Sequence, residues 1–362
     1  MTDRRHARKP PFPFELLVIG MLVAVAGVGW AATRDDDVRA SASGPAGVSL
    51  GRSPEPNAGP TAPSGPTGTN GASPSPSPPK RPLVIHGTGD VSLDPEYIPA
   101  FRSNGYDWAW TGMDGLFERD DLTIINHECP STNIVAPIPK TFSFRCDPDA
   151  LAAAKRYGVD VASLGNNHGY DQGPDALLDS IRNIERAGLI AIGAGKDAED
   201  ADAPRYVEVK GWRIGLIGVG EVLDPINQVA TANQPGTAVG HDFPRALAAI
   251  REAEANADLV IVVIHWGVEL DTQPRDYQVD EAHRMIEAGA DVIFGHHAHR
   301  LQPLDMYHGR PIFYGLGNFV WPNFSVAGST TAVAEVTVSA DGDLRGRLLP
   351  AYITSPGHPV LR

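Results

Sequence analysis

Residues 292–299 read VIFGHHAH: a short apolar run, Val292–Phe294, leads directly into Gly295–His299, with three imidazoles in four positions. Such a run reads as a buried strand, and the histidines fall where it meets a loop. Along an extended chain His297 and His299, at spacing two, point to the same side. Neutral imidazole is a common ligand for Zn, Fe, Mn, Ni or Cu. The competing reading of the stretch is a solvated polar turn. Two other places repeat its arrangement. His265 closes the apolar run Leu259–Ile264, and Asn166-Asn167-His168 follows Val159–Leu164.

Working outward, short apolar runs alternate with amphipathic segments from Leu83 onward. Expected strands are Leu83–Gly87, Leu122–Ile125, Val159–Leu164, Leu189–Ile192, Arg213–Gly218, Leu259–Ile264, Val292–Phe294 and Ile312–Gly315. Expected helices are Pro148–Tyr157, Pro174–Ala187, Pro244–Ala257 and Pro274–Ala288, with Gly188 and Gly289 placed as C-terminal caps. Continuous apolar strands alternating with helices predict a layered α/β domain. Thr331–Val338 and Leu344–Ile353, around Asp341-Gly342, read as a hairpin that adds antiparallel character.

In layered α/β domains ligands bind outside the carboxyl ends of the strands, and here the polar clusters recur at that end. Gly89-Asp90 follows the first strand, Asn126-His127-Glu128 the second, Gly165-Asn166-Asn167-His168 the third, with His265 and GHHAH at later ones. Hard carboxylate oxygens, imidazole nitrogens and a neutral Asn carbonyl together suit one or two divalent ions, Mn, Fe, Zn or Mg. Each part has a bland alternative: Asp90 as a turn residue, Glu128 as a loop acid, Asn167 and His168 as a cap cluster. His127 reads as structural or exposed and His86 as packed inside its strand. His6, His241, His283, His308 and His358 lack a partner cluster and read as surface.

The chain has 362 residues, 42% hydrophobic and 20% charged, with formal net charge −14. The acidic balance argues against a nucleic-acid binder, which needs a basic face. An anionic substrate would have to be met by metal ions or local arginines. The two cysteines, Cys129 and Cys146, are too few for a zinc ribbon, and outside the cytoplasm they can form one disulfide.

Residues 1–13 form a basic tail with Arg4, Arg5, Arg8 and Lys9. The uncharged apolar run Leu16–Ala32, within segment 14–32, then reads as a transmembrane signal anchor, with a cleaved signal peptide as the alternative. Positive charge before it and Asp35-Asp36-Asp37 after it predict a single pass with the C-terminal domain outside the cell. Residues 33–80 are rich in Pro, Gly and Ser and read as a disordered linker. Residues 81–362 are the globular domain.

GTGDVSL (87–93), NHECP (126–130), GNNHGYDQG (165–173), HWGVE (265–269), GHHAHRLQP (295–303) and YGLGNFVW (314–321) occur in one order. With them the chain resembles the CapA family of poly-γ-glutamate or capsule biosynthesis proteins, which have a calcineurin-like metallophosphoesterase fold. The resemblance covers about 83–322 and implies a four-layer α/β/β/α sandwich around a divalent metal site. It assigns Asp90, Glu128, Asn167, His265, His297 and His299 as metal ligands. It places His168, oriented by Asp171, at a phosphoryl-like oxygen. Asn126, Asn166, Glu269, His296 and Asn318 fall to the supporting shell or substrate rim. An N-terminal membrane anchor also suits that family. Two departures stand out. Position 127 is His where an apolar residue is usual. The first motif reads Asp90-Val91-Ser92, without the histidine of D-x-H, and the second is reduced to Asn126-His127-Glu128.

Two functions follow as expectations. One is a metal-dependent hydrolase or transferase acting on an extracytoplasmic polymer or phosphoester. The other is a non-catalytic accessory subunit that binds a polymer synthase or an anionic polymer, with Arg145, Arg275 and Arg300 as candidate carboxylate contacts. Expected partners are the membrane, through the N-terminal helix, and capsule or polyglutamate synthase subunits.

Overall fold

The computed structural model describes residues 78–222, 228–238 and 243–362. The basic tail, the anchor, almost all of the linker and His241 lie outside them. Among the described residues no helix is long and apolar enough to cross a membrane.

In chain order the strands are β1 (Leu83–Val91), β2 (Leu122–His127), β3 (Val161–Ser163), β4 (Ile190–Ile192), β5 (Ala194–Gly195), β6 (Arg205–Val209), β7 (Trp212–Gly220), β8 (Gly236–Thr237), β9 (Leu259–His265), β10 (Val292–His296), β11 (Leu304–Tyr307), β12 (Arg310–Phe313), β13 (Asn318–Val320), β14 (Thr330–Val338), β15 (Leu344–Ser355) and β16 (His358–Leu361). The helices are α1 (Ala100–Asn104), α2 (Ala150–Arg156), α3 (Gly173–Arg186), α4 (Ala198–Asp202), α5 (Phe243–Asn256), α6 (Asp276–Glu287) and α7 (Val326–Ser329).

One sheet runs β16-β15-β14-β1-β2-β3-β4, with β13 also paired to β1; the other runs β11-β12-β10-β9-β7-β6. Each has a parallel centre, and β6, β11 and the β14–β16 meander add antiparallel strands. The expected hairpin is β14–β15, paired from Thr330↔Tyr352 to Val338↔Leu344.

Alternation along single strands builds the layers. In β9, Leu259, Ile261 and Val263 enter a core shared with Leu83, Ile85, Leu122 and Ile124 of the first sheet. Val260, Val262 and Ile264 turn the other way, onto Leu247 and Ile250 of α5 and Met285 and Ile286 of α6. On the far face of the first sheet, Ile125, Ala162 and Leu164 pack with Leu151 and Ala154 of α2 and Leu177 and Ile184 of α3. A strand buried on both faces must be apolar throughout, which is why these runs are continuous. The result is a four-layer α/β/β/α sandwich.

A buried acid follows β7, its amide bonded to the His265 carbonyl at 2.9 Å. Glu221, just past β7, is 5% exposed. Burial first, then its hydrogen bond to Glu281 of α6, pushes its carboxyl up to about 9. The folded state therefore holds a proton that the unfolded chain releases near its ordinary 4.5. The stability linked to that proton is fully present below the lower value and is lost as pH rises toward the upper one. Glu221→Gln should thus raise stability at pH 8 by on the order of 1 kcal/mol and change it little at pH 5. Thermal melts of both proteins at the two pH values check this; equal losses of melting temperature would refute it.

Candidate metal centre

The cluster forms where both sheets present the carboxyl ends of their strands. Parallel pairing of β1 with β2 sets Asp90 opposite Asn126 and Val91 opposite His127, and Glu128 comes next. In the second sheet, β9 and β10 pair in register so that His265 lies opposite His296. Two glycines allow the approach. A Cβ at Gly89 would sit 2.1 Å from the Gly317 carbonyl oxygen, and one at Gly295 equally close to that of Tyr314.

Strand alternation does not align His297 and His299, contrary to the expectation from spacing. β10 ends at His296. The two histidines follow it in a left-handed turn, with φ of 87° and 51°. That conformation costs an L-residue roughly 1–2 kcal/mol. The turn swings both rings to the mouth of the cluster, their centroids 6.0 Å apart.

His265 lies at the centre. Its Nε2 is 2.9 Å from Asn167 Oδ1, 3.1 Å from His297 Nδ1 and 3.5 Å from Glu128 Oε1. Asn126 donates through Nδ2 to Asp90 Oδ1 at 2.8 Å, with His265 Nδ1 3.2 Å from the same nitrogen. Asn166 donates to Asn126 Oδ1 and accepts from the His168 amide, each at 3.0 Å. His299 Nδ1 stands 3.0 Å from Asp90 Oδ2, while its hydrogen bond goes to Asn318 Oδ1 at 2.8 Å.

Asp90 and Glu128 are both fully buried, and Asp90 Oδ2 and both Glu128 oxygens have no hydrogen-bond partner. An isolated buried carboxylate costs several kcal/mol, so such oxygens are normally paired with a cation. Donor atoms of Asp90, Glu128 and His265 all lie within 4.8 Å of one another, as do those of Glu269, His297 and His299. Hard oxygens with imidazole nitrogens in this arrangement fit one or two divalent cations.

Electrostatics agree with that reading at His265 and His297. Burial, and next the charge of Asp90, push the Glu128 carboxyl well above the usual range. Burial alone would raise Asp90 too, but the His299 ring, 3.0 Å from its Oδ2, outweighs it and holds the carboxyl low. Burial and then the other histidines hold His265 well below its ordinary value, and burial and then His299 bring His297 to about 4. Both are therefore neutral at pH 7, the form that ligates metal. Burial would lower His299 as well, but Glu128 and Asp90 raise it to about 9.

His168 flanks the cluster. Its Nδ1 is 2.8 Å from Asp171 Oδ2, an oxygen that also accepts from the Phe144 amide at 2.6 Å. Lys140 donates to Asp171 Oδ1 at 2.7 Å and to the Asn167 carbonyl at 2.8 Å. Sequence reading passed over Lys140, since one lysine in a Pro-rich loop carries no signal of a buried partner 31 residues away. Of the supporting residues, Asn126 and Asn166 are spent inside the network, while Asn318, bonded to His299, and Glu269, beside His297 and His299, sit where it meets the cleft. His296 is bound to the Thr88 carbonyl at 2.9 Å, which braces β10 against β1.

Of the two readings of His127 the structure takes the structural one: it is fully buried, with Nε2 2.8 Å from Ser131 Oγ. Arg145 reaches the Thr132 carbonyl and Arg275 pairs with Asp271; of the three arginines only Arg300 lines the cleft. His283, His308 and His358 lie outside the cluster as expected, His308 exposed and the other two half-buried, stacking on Tyr307, Tyr307 and Trp108. His86 is packed as expected, with Nδ1 2.6 Å from Asp120 Oδ2. Cys129 and Cys146 form a buried disulfide.

Residues 84–323 match the profile of the bacterial capsule synthesis protein PGA_cap. The chain is similar to the PGA biosynthesis protein CapA of Bacillus subtilis, 30% identical over 268 residues, covering 73% of this chain and 70% of that one. It is 31% identical over 247 residues to the capsule biosynthesis protein CapA of Bacillus anthracis, covering 66% and 60%. A probable polyglutamine synthesis accessory protein of Mycobacterium tuberculosis is 28% identical over 267 residues, covering 69% and 67%. Among solved structures, a phosphatase from Mycoplasma pneumoniae superposes with TM-score 0.48 at 13% identity, covering 75% of this chain and 94% of that one. By its match over the strand ends that carry the cluster, this chain belongs to the PGA_cap family of bacterial capsule synthesis proteins.

Proposed function

We propose that this protein works outside the cytoplasmic membrane in making or exporting a capsule- or poly-γ-glutamate-type polymer, as a metal-dependent hydrolase or transferase of the phosphoesterase type. The observation that carries the reading is Glu128, whose two buried oxygens have no hydrogen-bond partner at the meeting point of Asp90, His265 and His299. Asp90, Glu128, Asn167, His265, His297 and His299 would hold one or two ions, Mn, Fe, Zn or Mg. A bound divalent ion supplies Lewis acidity and lowers the pKa of water. His168, fixed through Nδ1 by Asp171, delivers a proton to the leaving group or stabilises the charge that develops there. Lys140 holds Asp171 in place.

The extracytoplasmic placement is supported by the Cys129–Cys146 disulfide, which persists in oxidising compartments, and by the apolar run Leu16–Ala32. Membrane attachment through that run and contact with polymer synthase subunits belong to the same proposal. Elemental mass spectrometry of the purified chain tests the centre: one or two ions per chain are expected, falling in His297→Ala. His168→Ala should retain metal and lose roughly 10²-fold in Mn²⁺-dependent hydrolysis of an aryl phosphate diester. No metal after reconstitution, or unchanged turnover in His168→Ala, would sink the catalytic reading.

A second reading has its own observation. Ser92 is buried where a D-x-H motif has histidine, and one relative is named an accessory protein. In that reading the centre binds carboxylates of the polymer without turnover. Hydrolysis of the diester that disappears in His297→Ala rules it out.

A further inference from the structure

The cleft beside the cluster has a lining that metal binding does not explain. Rings run outward from the two functional histidines: Phe144 packs 4.4 Å from His168, and Trp321 4.8 Å from His299. Tyr97 joins them, 4.6 Å from Phe144 and 5.4 Å from Trp321. Phe142 and Phe324 finish the wall, 60% and 76% exposed. Among the described residues these are the phenylalanines left largely in water, and both border one cleft. Leaving such a side chain exposed forgoes about 1.5–3 kcal/mol of burial each, and grouped exposed apolar side chains mark a binding surface.

Building on the phosphoester reading, we infer that this cleft is a subsite for one hydroxylated ring, a sugar, attached to the phosphoryl group held at the metal centre. Its volume, about 240 Å³, is below the roughly 300–1,000 Å³ of clefts that take drug-sized ligands, a size that suits a single ring. Tyr97, Trp321 and Phe324 line the cleft and offer apolar aromatic contact to the C–H face of such a ring. Glu269 and Arg300 line the same cleft and offer the acceptors and donors that ring hydroxyls need, while Asn318 is held by His299 and the Gly328 carbonyl and Ser325 caps α7. An alkyl chain would desolvate the Glu269 carboxylate and the Arg300 guanidinium without pairing them, which is costly. A γ-linked polyglutamate would bring a carboxylate per residue against Glu269, with Arg300 the sole lysine or arginine in the lining, on a chain of net charge −14.

Calorimetric titration of the Mn²⁺-loaded full chain tests this with ligands that resist hydrolysis. These are methylphosphonate, the methylene phosphonate analogue of N-acetylglucosamine 1-phosphate, decylphosphonate and a γ-linked glutamate pentamer. The sugar phosphonate should bind at least about tenfold tighter than methylphosphonate and than the other two ligands. Phe142→Ala/Phe324→Ala should bring that advantage to within about threefold while metal content holds. Sugar phosphonate binding no tighter than methylphosphonate, or weaker than the decyl or glutamyl ligand, overturns the ring subsite and leaves the phosphoester reading standing. No binding of methylphosphonate or of the sugar phosphonate overturns the phosphoester reading and the subsite with it.

Discussion

Replacing Glu128 with glutamine is expected to lower divalent-metal affinity by about 100-fold or more, since removing even supporting groups of a metal site costs 10–100-fold, while making the metal-free protein more heat-stable. The two effects share one cause. Glu128 is fully buried, its oxygens accept no hydrogen bond, and Asp90 stands beside it. Without a metal ion the two carboxylates are offset only by the His299 ring beside them and burden the fold; with one they become ligands. Glutamine keeps the shape and removes the charge, so the metal-free chain is relieved and the cation loses its strongest attraction. Melting curves with EDTA and with Mn²⁺, alongside metal titrations, read both effects. If the variant kept its metal and melted lower in EDTA, Glu128 would be a structural carboxyl.

The Cys129→Ser/Cys146→Ser variant should lose stability and turnover together. The disulfide spans 17 residues with its Cα atoms 5.7 Å apart, and loop-closure entropy for such a span corresponds to about 3 kcal/mol. What it closes is functional. Cys129 directly follows Glu128, and Cys146 follows Phe144 and Arg145, whose amides bind Asp171 and Asp94 at 2.6 and 2.9 Å. Opening the bridge therefore loosens a metal ligand at one end. At the other it frees the loop that carries Lys140 and the Phe142–Phe144 wall. Thermal melts and diester turnover of the variant, compared with wild type held in reductant, measure this. A variant with wild-type melting temperature and turnover would mean that the bridge restrains nothing the native state needs.

Local signals determined much of this protein. Continuous apolar runs such as Leu259–Ile264 require burial on both faces, and helices between them require parallel pairing, so a layered α/β sandwich follows from residue order. The strand-end motifs also identified, before any geometry, nearly all the side chains that converge at the cluster. Elements with weaker local signals escaped notice: β6 and β11 are sheet edges with only part-buried side chains, and β16 contains Pro359.

Tertiary structure decided how the pieces meet. The side-chain contacts that define the centre join residues 36, 98 and 139 positions apart, and no local pattern encodes a distance across two sheets. The left-handed turn at His297 and His299, the fixing of Asp171 by Lys140 and the aromatic wall beside the cluster all depend on neighbours supplied by distant parts of the chain. Composition and periodicity specify which face of an element is buried. Which polar groups are then left facing one another depends on register and on close backbone approach, as at Gly89 and Gly295, and those are properties of the packed chain.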